Sequence, residues 1–117
     1  MYLNTITITK NNVELDDVEQ LLFGGAMVSI SPEIEENVVK SYEFLKEFSS
    51  DKVIYGVNTG FGPMAQIRIK DDEVTQLQYN IIRSHSAGAG TPIEPLYVKA
   101  ALFARLCTFT QGFSGVN

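Results

Sequence analysis

The chain has 117 residues, enough for one compact domain and too few for two ordinary ones. Its 44% hydrophobic and 20% charged residues are globular proportions and exclude a disordered or collagen-like chain. Nine Lys and Arg against fourteen Asp and Glu give a net charge of −5, which argues against a nucleic-acid binder, and no apolar run approaches the roughly 18 residues of a membrane span.

In chain order, the stretch Met1 to Lys10 holds no signal-peptide core, and Thr5-Ile6-Thr7-Ile8-Thr9 alternates with the period of a half-buried strand. A short helix over about 15–23 follows, with Leu15, Val18 and Leu22 on one face, Asp16 and Asp17 at its positive end, and Gly24-Gly25 as its stop. Val28-Ser29-Ile30 reads as a second short strand, forming a hairpin or a strand pair with the first. Ser31-Pro32-Glu33 is a hydroxyl cap followed by proline at the first helical position, and Ile34, Val38, Tyr42 and Leu45 carry an amphipathic helix towards Ser49-Ser50-Asp51. Residues 53–64 then form a tight, irregular loop containing three glycines, an asparagine and a proline, and this loop is expected to be mobile over 55–63.

Asp71-Asp72-Glu73 opens a third helix with Val74, Leu77, Ile81 and His85 on one face, stopped by Gly88-Ala89-Gly90-Thr91-Pro92. A fourth helix starts near Pro95 and reaches about Thr110. Between Leu96 and Phe109 only Lys99 and Arg105 carry charge, and a helix apolar all round belongs inside a large bundle. The segment Gly112-Phe113-Ser114-Gly115-Val116-Asn117 has no closing signal, so the expectation is the front piece of a larger chain; the alternative is a small domain with one apolar helix buried in a dimer. The single cysteine, Cys107, forms no internal disulfide, and the cytoplasm is the simplest compartment.

The loop glycines, Gly56, Gly60 and Gly62, are spaced four then two, which fits neither a dinucleotide fingerprint nor a P-loop. A connector needing positive φ angles is the plain reading. Tyr55, however, places a phenol on this loop rather than on a core face, and a phenol with an ordinary pKa of about 10 works as a base only beside a neighbour that favours its anion. His85, the sole histidine, reads plainly as a helix C-terminal residue facing the dipole. No nucleophile-elbow, zinc-protease or Cys-x-x-Cys motif occurs, and one His with one Cys predicts no metal site.

Three segments nevertheless resemble one family. Tyr55-Gly56-Val57-Asn58-Thr59-Gly60-Phe61-Gly62 is similar to the catalytic-tyrosine loop of the aromatic amino acid ammonia-lyases. Leu77-Gln78-Tyr79-Asn80-Ile81-Ile82-Arg83-Ser84-His85, with Gly88 and Gly90, resembles the helix that follows it, and Gly112-Phe113-Ser114-Gly115-Val116 the segment after that. The resemblance spans essentially the whole chain but only about the first quarter of the family's length.

It implies a mainly α fold, the N-terminal part of a helical-bundle lyase with a short β-strand pair near the N-terminus, in a homotetramer. It implies elimination of ammonia from an aromatic amino acid, with Tyr55 as general base, Gly62 lying close to the substrate amine, and Ser84 and His85 contacting the substrate ring. The family's electrophile is a methylidene-imidazolone (MIO) made autocatalytically from an Ala-Ser-Gly run, which these residues lack; Ser86-Ala87-Gly88 and Phe113-Ser114-Gly115 have the wrong order. The chain alone is therefore expected to be inactive and to bind no cofactor, with the MIO supplied by the rest of the parent enzyme. The Ser-His pair resembles histidine-acting members, which implies L-histidine converted to urocanate in histidine catabolism. Tyrosine converted to coumarate is the alternative, because the loop and Arg83-Ser84-His85-Ser86 also resemble a bacterial subgroup with tyrosine-acting enzymes. A non-catalytic binding module derived from a lyase front end is the third reading.

Overall fold

The structure, a computed structural model, describes residues 4–11, 13–70 and 72–116. The residues before Asn4, Asp71 at the expected start of the third helix, and Asn117 lie outside the described set. The chain divides into two compact units, one built from the segments up to Leu45 and from Pro92 onward, the other from Lys46–Thr91.

In the first unit, β1 (Thr5–Ile8) and β2 (Met27–Ile30) pair in parallel, in register from Thr5 opposite Met27 to Ile8 opposite Ile30. The pair is not a hairpin, because helix α1 (Leu15–Leu22) returns the chain to the end from which β1 began. The alternation seen in the sequence puts Ile6 and Ile8 on the buried side, where they meet Leu21, Ala26 and Phe103. Thr7 and Ser29 hydroxyls face each other across the strands at 2.9 Å. Helix α1 begins where the Asp17 carboxylate accepts the Glu14 N–H at 3.0 Å, supplying a partner for a donor that the helix leaves free.

Helix α2 (Pro32–Phe48) starts as its sequence predicts, with the Ser31 hydroxyl accepting the Ile34 N–H at 3.5 Å. Helix α4 (Pro95–Phe109) contributes Phe103 to the core, and its Lys99 ammonium donates to the Leu21 carbonyl at the end of α1. A lysine there completes a carbonyl that lacks an intrahelical partner and sits at the negative end of the helix dipole. The Gly115 N–H donates to the Ser41 hydroxyl at 3.2 Å, which ties the last described segment to α2.

The second unit holds the end of α2, the glycine-rich loop with a 3₁₀ turn at Gly62–Met64, and α3 (Val74–His85). Val74, Leu77 and Ile81 are half-buried along the predicted face of α3, whereas His85 is exposed. Four α-helices and one two-stranded sheet among the described residues make the fold mainly α, and none of the helices is long and apolar enough to cross a membrane. The accessible surface, 9313 Å², is large. Two separate compact bodies of these sizes would together expose only about 7,600 Å².

Candidate functional site

Tyr55, Gly62, Ser84 and His85 all fall in the second unit. The loop carrying the first two is built around Asn58 and Thr59, which are 5% and 0% exposed. The Asn58 side chain accepts the Ile54 N–H at 2.8 Å and donates to the Ser49 and Lys52 carbonyls at 2.9 and 2.7 Å. The Thr59 hydroxyl accepts the Gly56 N–H at 3.3 Å and donates to the Gly60 carbonyl at 2.9 Å. The far side of the loop closes through Gly60 N–H to the Ile67 carbonyl at 3.1 Å, Ile69 N–H to the Asn58 carbonyl at 2.9 Å, and an antiparallel bridge between Thr59 and Arg68. The loop and the segment 67–69 that closes it belong to one unit and form a hydrogen-bonded frame.

Tyr55 is 62% exposed, and its ring meets Phe61 edge-on at 5.8 Å between centroids. Gly62 adopts φ 57°, and a Cβ built there would find no other part of the chain within 4 Å. Its open face leaves room for a ligand to approach the backbone closely, which is one of the physical uses of glycine. Gly60 is tight instead: a Cβ there would lie 2.7 Å from the Met64 Cβ and 2.9 Å from its carbonyl oxygen.

At the C-terminal end of α3, His85 Nδ1 lies 2.9 Å from the Ile81 carbonyl oxygen and 3.0 Å from the Ser84 hydroxyl. A carbonyl only accepts, so the Ile81 contact is a hydrogen bond in the tautomer with its proton on Nδ1, which leaves Nε2 as an acceptor. The Ser84 hydroxyl donates to the same Ile81 carbonyl at 2.9 Å. His85 thus satisfies one of the last carbonyls of its helix, as the plain reading expects, and still offers a ring nitrogen to a donor. Among the described residues no hydrogen bond or ring contact joins Tyr55 or Gly62 to Ser84 or His85.

Asn58 and Thr59 are the residues that sequence reasoning passed over, counting the asparagine only as a turn former. The available signal was an Asn-Thr pair among glycines, since both side chains readily bond the backbone a few residues away. No cluster of three or more His, Cys, Asp or Glu side chains among the described residues could hold a metal ion. The MIO group fails on composition, because without an Ala-Ser-Gly run it cannot be made from these residues. A groove of about 570 Å³ in the first unit, lined by Val28, Ile30, Val38, Val39 and Leu106, contains none of the four candidate residues.

Comparison with known proteins gives a consistent set of likenesses. The family described as aromatic amino acid lyase matches residues 13–117. A probable histidine ammonia-lyase of Thermoplasma acidophilum is 39% identical over 113 residues, covering 96% of this chain and 23% of that protein. Among solved structures, tyrosine aminomutase from Streptomyces globisporus superposes with a TM-score of 0.84 at 30% identity, over 96% of this chain and 22% of that one. The ergothioneine-degrading ergothionase of Treponema denticola superposes with a TM-score of 0.89 at 26% identity, over 97% and 23%. The chain therefore spans less than a quarter of the length of the relatives it matches.

Proposed function

Because the chain belongs to the aromatic amino acid lyase family, we propose that it is the N-terminal part of a cytoplasmic, homotetrameric ammonia-lyase converting L-histidine to urocanate. In this reading the Tyr55 phenolate removes the β-proton of the substrate, the backbone at Gly62 lies beside the substrate amine, and Ser84 with His85 holds the ring. Activation of the leaving amine falls to no residue of this chain, and the chain by itself is inactive.

The observation that carries the proposal is the placing of an exposed phenol, an open glycine and an exposed Ser-His pair in one unit, when a core role would have buried them. Histidine is favoured by the Ser84-His85 pair and by the named function of the Thermoplasma relative. The His85 Nε2 acceptor matches an imidazole N–H, and leaving such a donor unpaired in a closed pocket would cost about 1–3 kcal/mol. A tyrosine phenol also presents a donor to Nε2, and the tyrosine aminomutase likeness favours that second reading.

The test is made in a complete lyase that carries this chain as its N-terminal part. Its kcat/KM for histidine should exceed that for tyrosine, and Tyr55→Phe should lower kcat on the preferred substrate by at least about a hundredfold with little loss of stability. A preference for tyrosine would replace the substrate and keep the reaction. Retention of most of the rate by Tyr55→Phe would remove Tyr55 from the chemistry.

A further inference from the structure

Tyr55 sits between two backbone amides that are each held by a buried side chain a few residues further on. On one side the Ile54 N–H is bound by the Asn58 side chain at 2.8 Å, and on the other the Gly56 N–H by the Thr59 hydroxyl at 3.3 Å. The two clamps differ in what stands behind them. Asn58 is anchored through its NH₂ group to the Ser49 and Lys52 carbonyls, so its grip on Ile54 is fixed to the segment that leaves α2. Thr59 pairs with Arg68 through an isolated antiparallel bridge, and Arg68 in turn donates to the Ser50 carbonyl at 2.8 Å.

Every donor hydrogen on the two side chains is used. Both NH₂ hydrogens of Asn58 and the single hydroxyl hydrogen of Thr59 are engaged, and both residues are almost wholly buried. A turn on the surface needs none of this, because water would satisfy the same backbone groups. The one large side chain that the two clamps leave standing out between them is Tyr55, with Phe61 against its edge.

We propose that Asn58 and Thr59 are positioning residues for Tyr55: together they fix the backbone on both sides of it and so set the direction of its phenol. The assignment of chemistry to that phenol rests on the function proposed above; the clamp itself does not. Asn58 supplies the acceptor and the fixed anchor, Thr59 the second acceptor, and Phe61 limits rotation of the ring.

The experiment uses NMR on the 117-residue chain, reading amide hydrogen exchange and the NOE between the Tyr55 and Phe61 rings. Thr59→Val keeps the branched, buried shape but cannot accept from Gly56. It should speed exchange of the Gly56 amide by about tenfold or more and weaken the ring NOE, while the Gly60 and Ile69 amides stay protected. Thr59→Ser, which restores the acceptor, should recover both signals. As a second variant, Asn58→Asp turns a carboxylate towards the Ser49 and Lys52 carbonyls. It should weaken the ring NOE at pH 7 and recover it on acidification, at a pH raised above the ordinary aspartate range because burial and the two facing carbonyls disfavour the anion, a profile that wild type should not show. Unchanged Gly56 exchange and NOE in Thr59→Val would overturn the proposal. So would loss of protection spreading to Gly60 and Ile69, which would make the pair a determinant of the whole unit, and so would failure of the serine or of acidification to restore the contact. None of these readouts needs turnover, so their failure leaves the lyase assignment standing, and an inactive lyase leaves the clamp standing.

Discussion

Cys107 lies half-buried on α4, where burial pushes its thiol above the ordinary cysteine range against a weaker opposing backbone hydrogen bond. The folded chain therefore keeps the thiol proton to higher pH than the unfolded chain does. Its contribution to stability is full below the unfolded value of about 8.5 and is lost as pH rises through the folded value. Two outcomes are expected: alkylation of Cys107 at pH 7.5 runs severalfold slower in the folded chain than in denaturant, and the urea midpoint falls at alkaline pH more steeply in wild type than in Cys107→Ala. Equal alkylation rates would show that the thiol is not protected. The loop glycines give a second contrast. Gly62→Ala meets no steric neighbour and should cost only the left-handed backbone strain, about 1 kcal/mol, whereas Gly60→Ala forces its Cβ onto Met64 and should cost about 1–3 kcal/mol. Chemical denaturation that ranked the two the other way round would mean that the loop re-forms around Met64. At this scale the sequence was partly legible. The phenol of Tyr55 was readable as a loop group, because glycines surround it. The donor role of His85 Nδ1 was not, since it depends on the Ile81 carbonyl one turn back, and neither were the partners of Asn58, which lie nine and six residues away along a path that only the folded loop defines.

The helices were legible because their signals are local, but the buried face of α1 was not: Leu15 is 85% exposed, and Leu21, off the predicted line, is the buried residue. Ser31 and Pro32 announce α2, Pro95 announces α4, and the periodic faces Ile34-Val38-Tyr42-Leu45 and Val74-Leu77-Ile81 are the half-buried sides that the structure shows. Strand direction was not legible, because period-two alternation is the same in parallel and antiparallel pairs; the α1 crossover decides it. Nor did periodicity reveal which side of α4 is buried, because apolar residues surround that helix. Packing against β1, β2 and α1 selects Phe103, leaving Leu102 beside it 66% exposed. Phe103→Ala should therefore cost on the order of 3 kcal/mol and take the β1–β2 pair with it, since a large ring is removed from a core of few residues. Leu102→Ala should stay within about 0.5 kcal/mol of wild type. Thermal unfolding of the two variants makes the comparison, and equal losses would place Leu102 in a core that the structure assigns to its neighbour.

At the scale of the molecule, the accessible surface exceeds what compact bodies of this mass leave in water, and many large apolar side chains are exposed. The 9313 Å² of accessible area stands about 1,700 Å² above the sum for two separate compact bodies of these sizes, and a standard protein interface takes about 800 Å² from each partner. The excess is large enough for a specific interface to use, and side chains on and around α4 are among the exposed apolar ones. Ile93, Tyr97 and Leu102 are each mostly exposed there, and Phe113 is 91% exposed. A monomer rarely leaves so many large apolar side chains in water, so the isolated chain should self-associate. Sedimentation velocity across a concentration series should show the average mass rising, and an apolar-surface dye should bind at low concentration and be displaced as association proceeds. Leu102→Glu should weaken both effects while leaving the thermal midpoint nearly unchanged, because the side chain already faces water in the monomer and contributes little to its core. A single monomeric species at every concentration, with no dye bound, would mean that the exposed face of α4 is compatible with water on its own and drives no assembly.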